Sequence, residues 1–352
     1  MGEVILESRF WTLKTMGYGE SHAKLILIGE HSVVYGQPAI ALPLPDIKTK
    51  VQLTPQRGAA QIESRYYTGL LADLPAQMQG IQKLITALQA HFKDDGHWAM
   101  TVTSQIPAER GMGSSAAAAV AIIRAFFDYY DTPLDRQELL KWADIEEKVT
   151  HRSPSGLDAA TVSSAQPLWF VRGQAGVTLP LDLNAYVVIG DSGVHGATKE
   201  AIAAVKAELD ARPTTAQAAI DDLGRLAEDA KHFLASNQPQ ALGTVLDKAQ
   251  INLATLKVSD PTLDRLIAEA KRAGALGAKL TGGGRGGCFF SLAKDRQTAD
   301  QLIITLQNAG GILSVTSFNS YTKQVFVDTN ASAWVRLYNG KTGTWSPWKS
   351  LV

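Results

Sequence analysis

The sequence predicts an α+β protein of two domains, with a small β element added at its ends. Three observations lead to this fold class. The chain has 352 residues, of which 45% are hydrophobic, enough for two cores rather than one. Short apolar runs typical of strands are mixed with helical segments, whereas residues 198–273 are almost entirely helical in pattern. Four of the seven tryptophans lie in the outer 49 residues, so the ends differ in composition from the middle.

The composition narrows the class of function. Lys plus Arg and Asp plus Glu both number 34, so a net charge of zero gives no sign of a nucleic-acid footprint or a basic membrane patch. A single cysteine, Cys288, cannot form an internal disulfide and fits a reducing compartment. The N-terminus is too short and too charged for a signal peptide, and no uncharged run approaches the roughly 18 residues of a spanning helix. We therefore expect a cytoplasmic enzyme.

The first half of the chain supplies strands that lead into polar motifs. The apolar run "KLILIG" predicts a buried strand that ends at "EHS", and "WAMTVTSQIP" alternates as a strand does. Residues 74–93 have helical spacing. A further helix is predicted over residues 135–151, with Asp131 or Thr132 as its cap and Pro133 near its first turn.

The second half begins with a buried strand in "AYVVIGDSG". The helical stretch 198–273 is interrupted at Pro213, Pro239 and Pro261, and "GALGAKLTGGGRGGCFFSLAK" predicts two strands around a glycine loop. A helix and a last strand follow. We place the domain boundary near residues 185–197. The predicted domains are an appended segment 1–15, a first domain 16–190, a second domain 191–318 and a β-rich tail 319–352.

The motif "GMGSSAA", residues 111–117, lies between a predicted strand and a predicted helix. A helix N-terminus offers unpaired N–H groups and a partial positive charge, and glycines let a ligand approach the backbone. This combination favours a phosphate site, to which Ser114 and Ser115 add hydroxyls. The motif lacks the lysine of a Walker A sequence. The alternative interpretation is a capped alanine-rich helix after a tight turn.

Two other motifs also favour a binding site for charged groups. In "KLILIGEHSVVYGQPAI", a strand carries Lys24 and delivers a charged cluster to its end, where a surface turn is the alternative. In "KLTGGGRGGC", five of the six residues after Thr281 are glycine. Backbone amides of such a loop can surround an anion. A flexible linker is the alternative, but apolar strands flank the loop on both sides.

Together these three motifs resemble those of the GHMP kinase superfamily, over residues 16–318. Within it, "GEHSVVYGQPAI" is most similar to the mevalonate kinases. Galactokinases usually carry a "GEHTDY" sequence at this place, and phosphomevalonate kinases tend to have tyrosine where this chain has His31. A fourth segment, "EEKVTHRSPSGLDAATVSS", supports the resemblance, because Glu147 precedes Asp158 by eleven residues as in the "PSG-D" segment of mevalonate kinases.

The resemblance implies a two-domain GHMP kinase fold. Its N-terminal domain is like domain 2 of ribosomal protein S5, and its C-terminal domain is a ferredoxin-like α/β sandwich. The implied reaction is ATP-dependent phosphorylation of the 5-hydroxyl of mevalonate, with Mg²⁺. The alternatives are another small-molecule kinase of the superfamily, such as phosphomevalonate kinase, or a non-catalytic ligand sensor on the same fold. Retention of Lys24, Glu147 and Asp158 favours the enzyme.

The resemblance also implies residue roles. Asp158 would accept or orient the proton of the acceptor hydroxyl, with Lys24 beside it, and Mg²⁺ would be bound by Ser115 and Glu147. Residues assigned to ATP are Gly111, Met112, Gly113, Ser114, Ser115, Ala116, Gly282, Gly283 and Gly284. Residues assigned to the acceptor are Glu30, His31, Ser32, Arg152 and Thr281. In the alternative interpretation, Glu147 is a solvated helix residue and Asp158 caps the following helix.

Three features lie outside this scheme. Arg285 occupies a position where many relatives carry glycine, and we expect it to reach a phosphate rather than solvent. Cys288 is expected to be a small buried residue and not a nucleophile. In the tail, "QVFV" and "WVRLY" predict two strands, and the tail weakly resembles a phage tail-fibre knob module. We expect the two ends to form a small β module without a catalytic role. The alternative is that the aromatic ends mediate self-association or bind a peptide or glycan.

Overall fold

The computed structural model describes residues 16–150 and 155–317 and, beyond these, strand residues 323–327, 333–339, 344–345 and 349–350. The described residues group into two units, each assembled from several stretches of the chain. The first unit contains residues 16–21, 48–105 and 115–150, and the second contains residues 22–47, 106–114 and those from 155 onward. Strands β1 (Gly17–Ile28) and β2 (Ala39–Pro55) contribute residues to both units. The linear domain boundaries expected from the sequence stay predictions.

The described residues of the first unit combine a sheet with three α-helices. The elements are β3 (Gln61–Ser64), β4 (Thr68–Leu70), α1 (Gln79–Phe92), β5 (Trp98–Ser104), α2 (Ser114–Tyr129) and α3 (Arg136–Thr150). Strand β5 pairs antiparallel with residues 49–55 of β2 and parallel with β3, which pairs antiparallel with β4. The strand predicted in "WAMTVTSQIP" is confirmed. The cap prediction for α3 is wrong, because Asp135 Oδ1 accepts the hydrogen bond from the Glu138 amide at 2.8 Å.

The alanine run of α2 lets this helix approach the start of β1. A Cβ on Gly19 would lie 1.9 Å from the carbonyl oxygen of Ala121, and one on Gly17 would lie 2.5 Å from that of Ala125. Residues Ala116, Ala117, Ala119, Ala121 and Ala125 are all buried. Larger side chains at this contact would separate the helix from the strand, so the small residues serve close packing.

The second unit is built on an antiparallel sheet covered by helices. Its elements before this sheet are α4 (Leu157–Val162), β6 (Leu168–Phe170) and β7 (Val177–Thr178). Its larger elements are β8 (Tyr186–Asp191), α5 (Thr198–Ala211), α6 (Pro213–Ala235), α7 (Pro239–Thr255), α8 (Pro261–Arg272), β9 (Gly277–Leu280), β10 (Cys288–Ala293), α9 (Arg296–Asn308) and β11 (Ile312–Ser317). Strand β8 pairs antiparallel with both β10 and β11, and β9 pairs with the far side of β10.

The predicted helix breaks at Pro213, Pro239 and Pro261 are confirmed, because each proline begins a helix. Proline suits the first helical turn, since the N–H that it lacks has no partner there and its φ is already helical. Within the described residues, no helix is both long and apolar enough to cross a membrane.

The tail contributes the last strands. Strands β12 (Lys323–Val327) and β13 (Ala333–Asn339) pair antiparallel, and β12 also pairs with β11. Two short strands, β14 (Thr344–Trp345) and β15 (Lys349–Ser350), both pair with β13. The two strands predicted in the tail are therefore confirmed. Residues 1–15 lie outside the described residues, so the predicted joint β module stays a prediction.

Candidate active site

Lys24 and Asp158 meet in the second unit. The Lys24 Nζ lies 3.1 Å from Asp158 Oδ1, with the lysine side chain 2% exposed and the aspartate 34% exposed. Strand β1 holds the lysine, whose amide donates to the Met112 carbonyl of the first glycine motif at 3.1 Å. Asp158 lies in the first turn of α4, and Gly156, at φ 80°, occupies the N-cap position. The alternative in which Asp158 caps this helix is therefore wrong, and its carboxylate is available to a ligand.

The first and third glycine motifs lie against each other. A Cβ on Gly282 would lie 2.6 Å from the Gly111 Cα, and one on Gly113 would lie 2.9 Å from the Lys24 Cγ. All three glycines have φ between 76° and 80°, in the left-handed region that favours glycine. The sequence is glycine-rich here because the two loops and the lysine approach more closely than side chains would allow.

A third segment supports both loops, and sequence reasoning missed it. The amide of Gly196 donates to the Glu109 carbonyl at 3.1 Å, and the amide of Ala197 donates to the Gly284 carbonyl at 3.2 Å. In the same unit, Arg110 Nε lies 3.0 Å from Asp191 Oδ2 at the end of β8. Burial raises the pKa of Asp191, although the Gly193 amide and Arg110 oppose this shift. In the sequence, the polar residues that end "AYVVIGDSG" are the feature that could have indicated this segment.

The Glu30–His31–Ser32 turn is buried. Glu30 forms an ion pair with Lys279, and neither side chain is exposed. Burial raises the pKa of Glu30 and lowers that of Lys279, while their mutual attraction opposes both shifts. Glu30 Oε2 and Ser32 Oγ are buried without a hydrogen-bond partner among the described residues. Glu30 is thus held inside the protein by Lys279, which the sequence did not single out.

His31 links this turn to the third glycine loop. Its Nε2 lies 3.0 Å from the Gly283 carbonyl, which can only accept, so Nε2 carries the ring proton and Nδ1 is an acceptor. Burial lowers the pKa of His31 to about 4, so the ring is neutral near pH 7. Its φ of 61° is unusual for a residue other than glycine. A neutral, fixed imidazole at this position can recognise a hydroxyl group.

Thr281 cross-links two segments of the second unit, and its expected contact with the acceptor stays a prediction. Its Oγ1 accepts from the Ile26 amide and donates to the Ile26 carbonyl, both at 3.0 Å. The side chain is 1% exposed. Because the hydroxyl has a single proton, its donor capacity is used within the protein.

The candidate metal ligands lie in the first unit. Ser115 Oγ donates to Glu146 Oε1, which also accepts from Thr150. Glu146 and Glu147 are both buried, so the alternative of Glu147 as a solvated helix residue is wrong. Among the described residues, no cluster of three or more His, Cys, Asp or Glu side chains could hold a metal unaided. The hydroxyl and carboxylate oxygens present are nevertheless the hard donors that Mg²⁺ takes together with nucleotide phosphates, so the residues fit that ion.

Three further residues singled out by the sequence are Arg285, Cys288 and Arg152. Arg285 Nε donates to the Lys257 carbonyl at 3.1 Å, and the expected contact of its guanidinium with a phosphate stays a prediction. Cys288 is buried, which confirms the prediction of a small buried residue, and burial strongly raises the pKa of its thiol. Arg152 lies outside the described residues.

Comparison with known proteins identifies the class that this fold and site define. The family described as the GHMP kinases N-terminal domain matches residues 79–165, and the GHMP kinases C-terminal family matches residues 226–311. The chain belongs to the GHMP kinase family and is a kinase that uses ATP as phosphate donor. Neither match extends to residues 319–352, so the resemblance of the tail to a tail-fibre module has no support.

Several relatives of this chain are mevalonate kinases. The mevalonate kinase of Thermococcus gammatolerans is 32% identical over 321 residues, which cover 84% of this chain and 94% of that protein. The crystal structure of mevalonate kinase from methicillin-resistant Staphylococcus aureus is 30% identical with a TM-score of 0.67, covering 87% of this chain and 99% of that one. The L. major mevalonate kinase in complex with R-mevalonate is 23% identical with a TM-score of 0.72, covering 84% of this chain and 93% of that one, and shares the fold.

Proposed function

We propose that this GHMP kinase transfers the γ-phosphoryl group of ATP to the 5-hydroxyl of mevalonate, giving 5-phosphomevalonate and ADP. The observation that carries the proposal is the 3.1 Å contact between Lys24 and Asp158, beside the paired glycine loops. A ligand sensor on the same fold does not need such a pair. The fold alone does not select the acceptor, so the choice of mevalonate rests on the relatives and on the "GEHS" turn.

The proposed roles of Asp158 and Lys24 follow from their contact. Phosphoryl transfer mainly requires positioning and charge stabilisation. Asp158 accepts the proton of the acceptor hydroxyl as the oxygen attacks phosphorus, or orients that hydroxyl. The buried ammonium of Lys24 fixes the carboxylate and adds positive charge where negative charge develops.

The glycine motifs are proposed to bind the triphosphate. Helix α2 begins at Ser114, within the first motif, and the N–H groups of its first turn have no partner inside the helix, which suits them to an anion. In the third motif, the glycines from Gly282 to Gly284 let backbone amides approach phosphate oxygens. Since Gly111 and Gly282 are in contact, one ligand can touch both loops.

The fit of the donor atoms supports Mg²⁺ as the accompanying ion. When bound, Mg²⁺ neutralises phosphate charge. Ser115 and Glu147 are the proposed ligands, and the contact of Ser115 with Glu146 gives the latter a separate role. By accepting the hydroxyl proton, Glu146 leaves the lone pairs of Ser115 Oγ to the metal. Binding of Mn²⁺, measured by electron paramagnetic resonance, should weaken strongly in Glu147→Gln and less in Glu146→Gln.

The acceptor is expected to contact the "GEHS" turn. In this turn, Glu30 Oε2 and Ser32 Oγ have no hydrogen-bond partner among the described residues, and the neutral His31 ring offers Nδ1 as an acceptor. The mevalonate carboxylate requires a cation, and Arg152 stays the proposed one. A cytoplasmic location and self-association through the ends remain parts of the proposal, the first supported by the single cysteine.

An assay of ADP release with four acceptors tests the function. Mevalonate, phosphomevalonate, galactose and homoserine are supplied separately with ATP and Mg²⁺. We expect turnover with mevalonate and at most background release with the other three. Turnover confined to another acceptor would identify a different kinase of the family. Binding of mevalonate without turnover of any acceptor would favour the sensor.

A further inference from the structure

The most deeply buried charges of the second unit are those of Glu30 and Lys279. Both side chains have zero exposure, and the lysine Nζ donates to Glu30 Oε1. The same Nζ donates to the Leu280 carbonyl at 2.7 Å and lies 5.3 Å from the centre of the Phe290 ring. Removing either partner would leave the other charge buried and uncompensated. Such a pair adds little net stability compared with apolar packing, which raises the question of what it does.

The position of the pair suggests an answer. Glu30 begins the turn that contains His31, in its left-handed conformation, and follows the strand that carries Lys24. Lys279 lies on β9, two residues before Thr281 and three before the glycine loop. The pair therefore joins the strand of the proposed catalytic lysine to the third glycine motif.

Neighbouring contacts join the same two segments. Thr281 bonds to Ile26 in both directions, and His31 bonds to the Gly283 carbonyl. The Thr281 and His31 contacts are hydrogen bonds between largely neutral groups, whereas the Glu30–Lys279 contact is charged and fully enclosed. A charge-assisted hydrogen bond is roughly twice as strong as a neutral one, so this contact constrains the geometry most.

We propose that Lys279 is a positioning residue for phosphoryl transfer, which acts by fixing Glu30 and with it the register of β1 against the third glycine loop. The inference rests on the proposed kinase activity of the same site. Lys279 acts through Glu30 and not by direct contact with Asp158 or Lys24. It sets the position of β1, which carries Lys24, relative to the third glycine loop. Misplacement of reacting groups by about 1 Å can cost on the order of 100-fold in rate.

Four variants test the proposal by steady-state kinetics: Lys279→Met, Glu30→Gln, the double variant and Glu30→Asp. Lys279→Met should lower kcat at least about 10-fold at a temperature well below its Tm, with the KM for ATP changed less than about 3-fold. The double variant should lose no more than the worse single variant, because residues that act as one unit are not additive. Glu30→Asp keeps the charge but withdraws the carboxylate by one methylene, and should also lower kcat.

The chain offers a matched control in the same unit. Lys271 Nζ also contacts a carboxylate, Asp247 Oδ2 at 2.5 Å, and a backbone carbonyl, that of Leu276 at 3.0 Å. This pair is about one-third exposed and lies outside the glycine motifs. Lys271→Met should therefore leave kcat unchanged.

Two outcomes overturn the inference. If Lys279→Met lowers Tm but folded protein turns over at the wild-type kcat, the pair is only structural. If Lys279→Met does not fold, the kcat of Glu30→Asp tests the proposal in its place. A wild-type kcat in that variant overturns the proposal. Failure of the proposed function is distinguishable, because it appears as absent mevalonate turnover in the wild type. The variants are then compared with the acceptor that the wild type does use.

Discussion

At the scale of single residues, the site contains a strained backbone position and a partly buried ion pair. His31 adopts a φ of 61° and keeps a neutral ring in a buried place. Lys24 and Asp158 form a half-buried pair whose aspartate faces outward. A residue in such a backbone conformation persists only where its surroundings fix it, and the Gly283 carbonyl holds the His31 ring.

Replacing His31 with asparagine should flatten the dependence of stability on pH. The pKa of His31 is about 4 when folded against 6.5 normally, so the unfolded chain binds the proton first as pH falls. Stability is therefore retained above pH 6.5 and lost progressively towards pH 4. Between pH 7.5 and pH 5, the wild type should lose about 2 kcal/mol more free energy of unfolding than His31→Asn. Urea unfolding at the two pH values measures this, and equal losses in both proteins contradict it.

Replacing Gly113 with alanine should harm both stability and catalysis. Its φ of 76° is unfavourable for alanine, and the added Cβ would lie 2.9 Å from the Lys24 Cγ. We expect a loss of about 2–4 kcal/mol in the free energy of unfolding, together with a lower kcat from displaced Lys24. Gly36→Ala is the control, because Gly36 has a φ of 85° but no atom within 4 Å of its Cβ position. Equal effects of the two substitutions would show that the contact with Lys24 is unimportant.

At the scale of elements, helix α2 packs closely against the start of β1 in the first unit. The small residues of the helix face Gly17 and Gly19 in the first unit. The periodicity of α2 predicted a helix but not its partner, since burial on nearly all sides leaves little amphipathic signal. The partner strand became evident only from the structure.

Replacing Gly19 with alanine should destabilise the first unit. Its Cβ would lie 1.9 Å from the Ala121 carbonyl oxygen, which is backbone and cannot rotate away. We expect a loss of about 1–3 kcal/mol, measured by chemical denaturation. Gly176→Ala is the matched control, because its Cβ would make only contacts of 3.7–3.8 Å. Loss of less than about 0.5 kcal/mol in Gly19→Ala would contradict this packing.

The sequence predicted elements that local chemistry determines. Prolines 213, 239 and 261 begin helices because their lost N–H is harmless only there. It did not predict contacts between residues far apart in the chain. Glu30 pairs with Lys279, which lies 249 residues away. Thr281 and Arg285 also bond to other parts of the protein, and the ligand roles predicted for all three residues stay predictions.

At the scale of the whole molecule, the part of the chain that the kinase relatives cover is distinguished from the tail. The matched relatives cover 84% of the chain, and the tail strands extend the sheet of the second unit through β11. The site residues all precede this tail. A non-catalytic role for the ends is therefore what we expect.

Removing residues 1–15 and 319–352 should leave mevalonate phosphorylation within about 3-fold of the full chain. Activity per folded molecule is measured after circular dichroism confirms the fold. Loss of activity in a truncated protein that remains folded would contradict the expected role of the ends. Sedimentation of both forms shows in addition whether the ends join two copies.

The central claim is that Asp158, held by Lys24, serves transfer of phosphate to the 5-hydroxyl of mevalonate. A rapid-quench measurement with labelled ATP tests it most directly, comparing the wild type with Asp158→Asn at saturating substrates. We predict labelled 5-phosphomevalonate from the wild type, and a rate at least about 100-fold lower in the variant with unchanged ATP affinity. A variant rate within about 3-fold of the wild type, or label on an atom other than the 5-oxygen, would contradict the account.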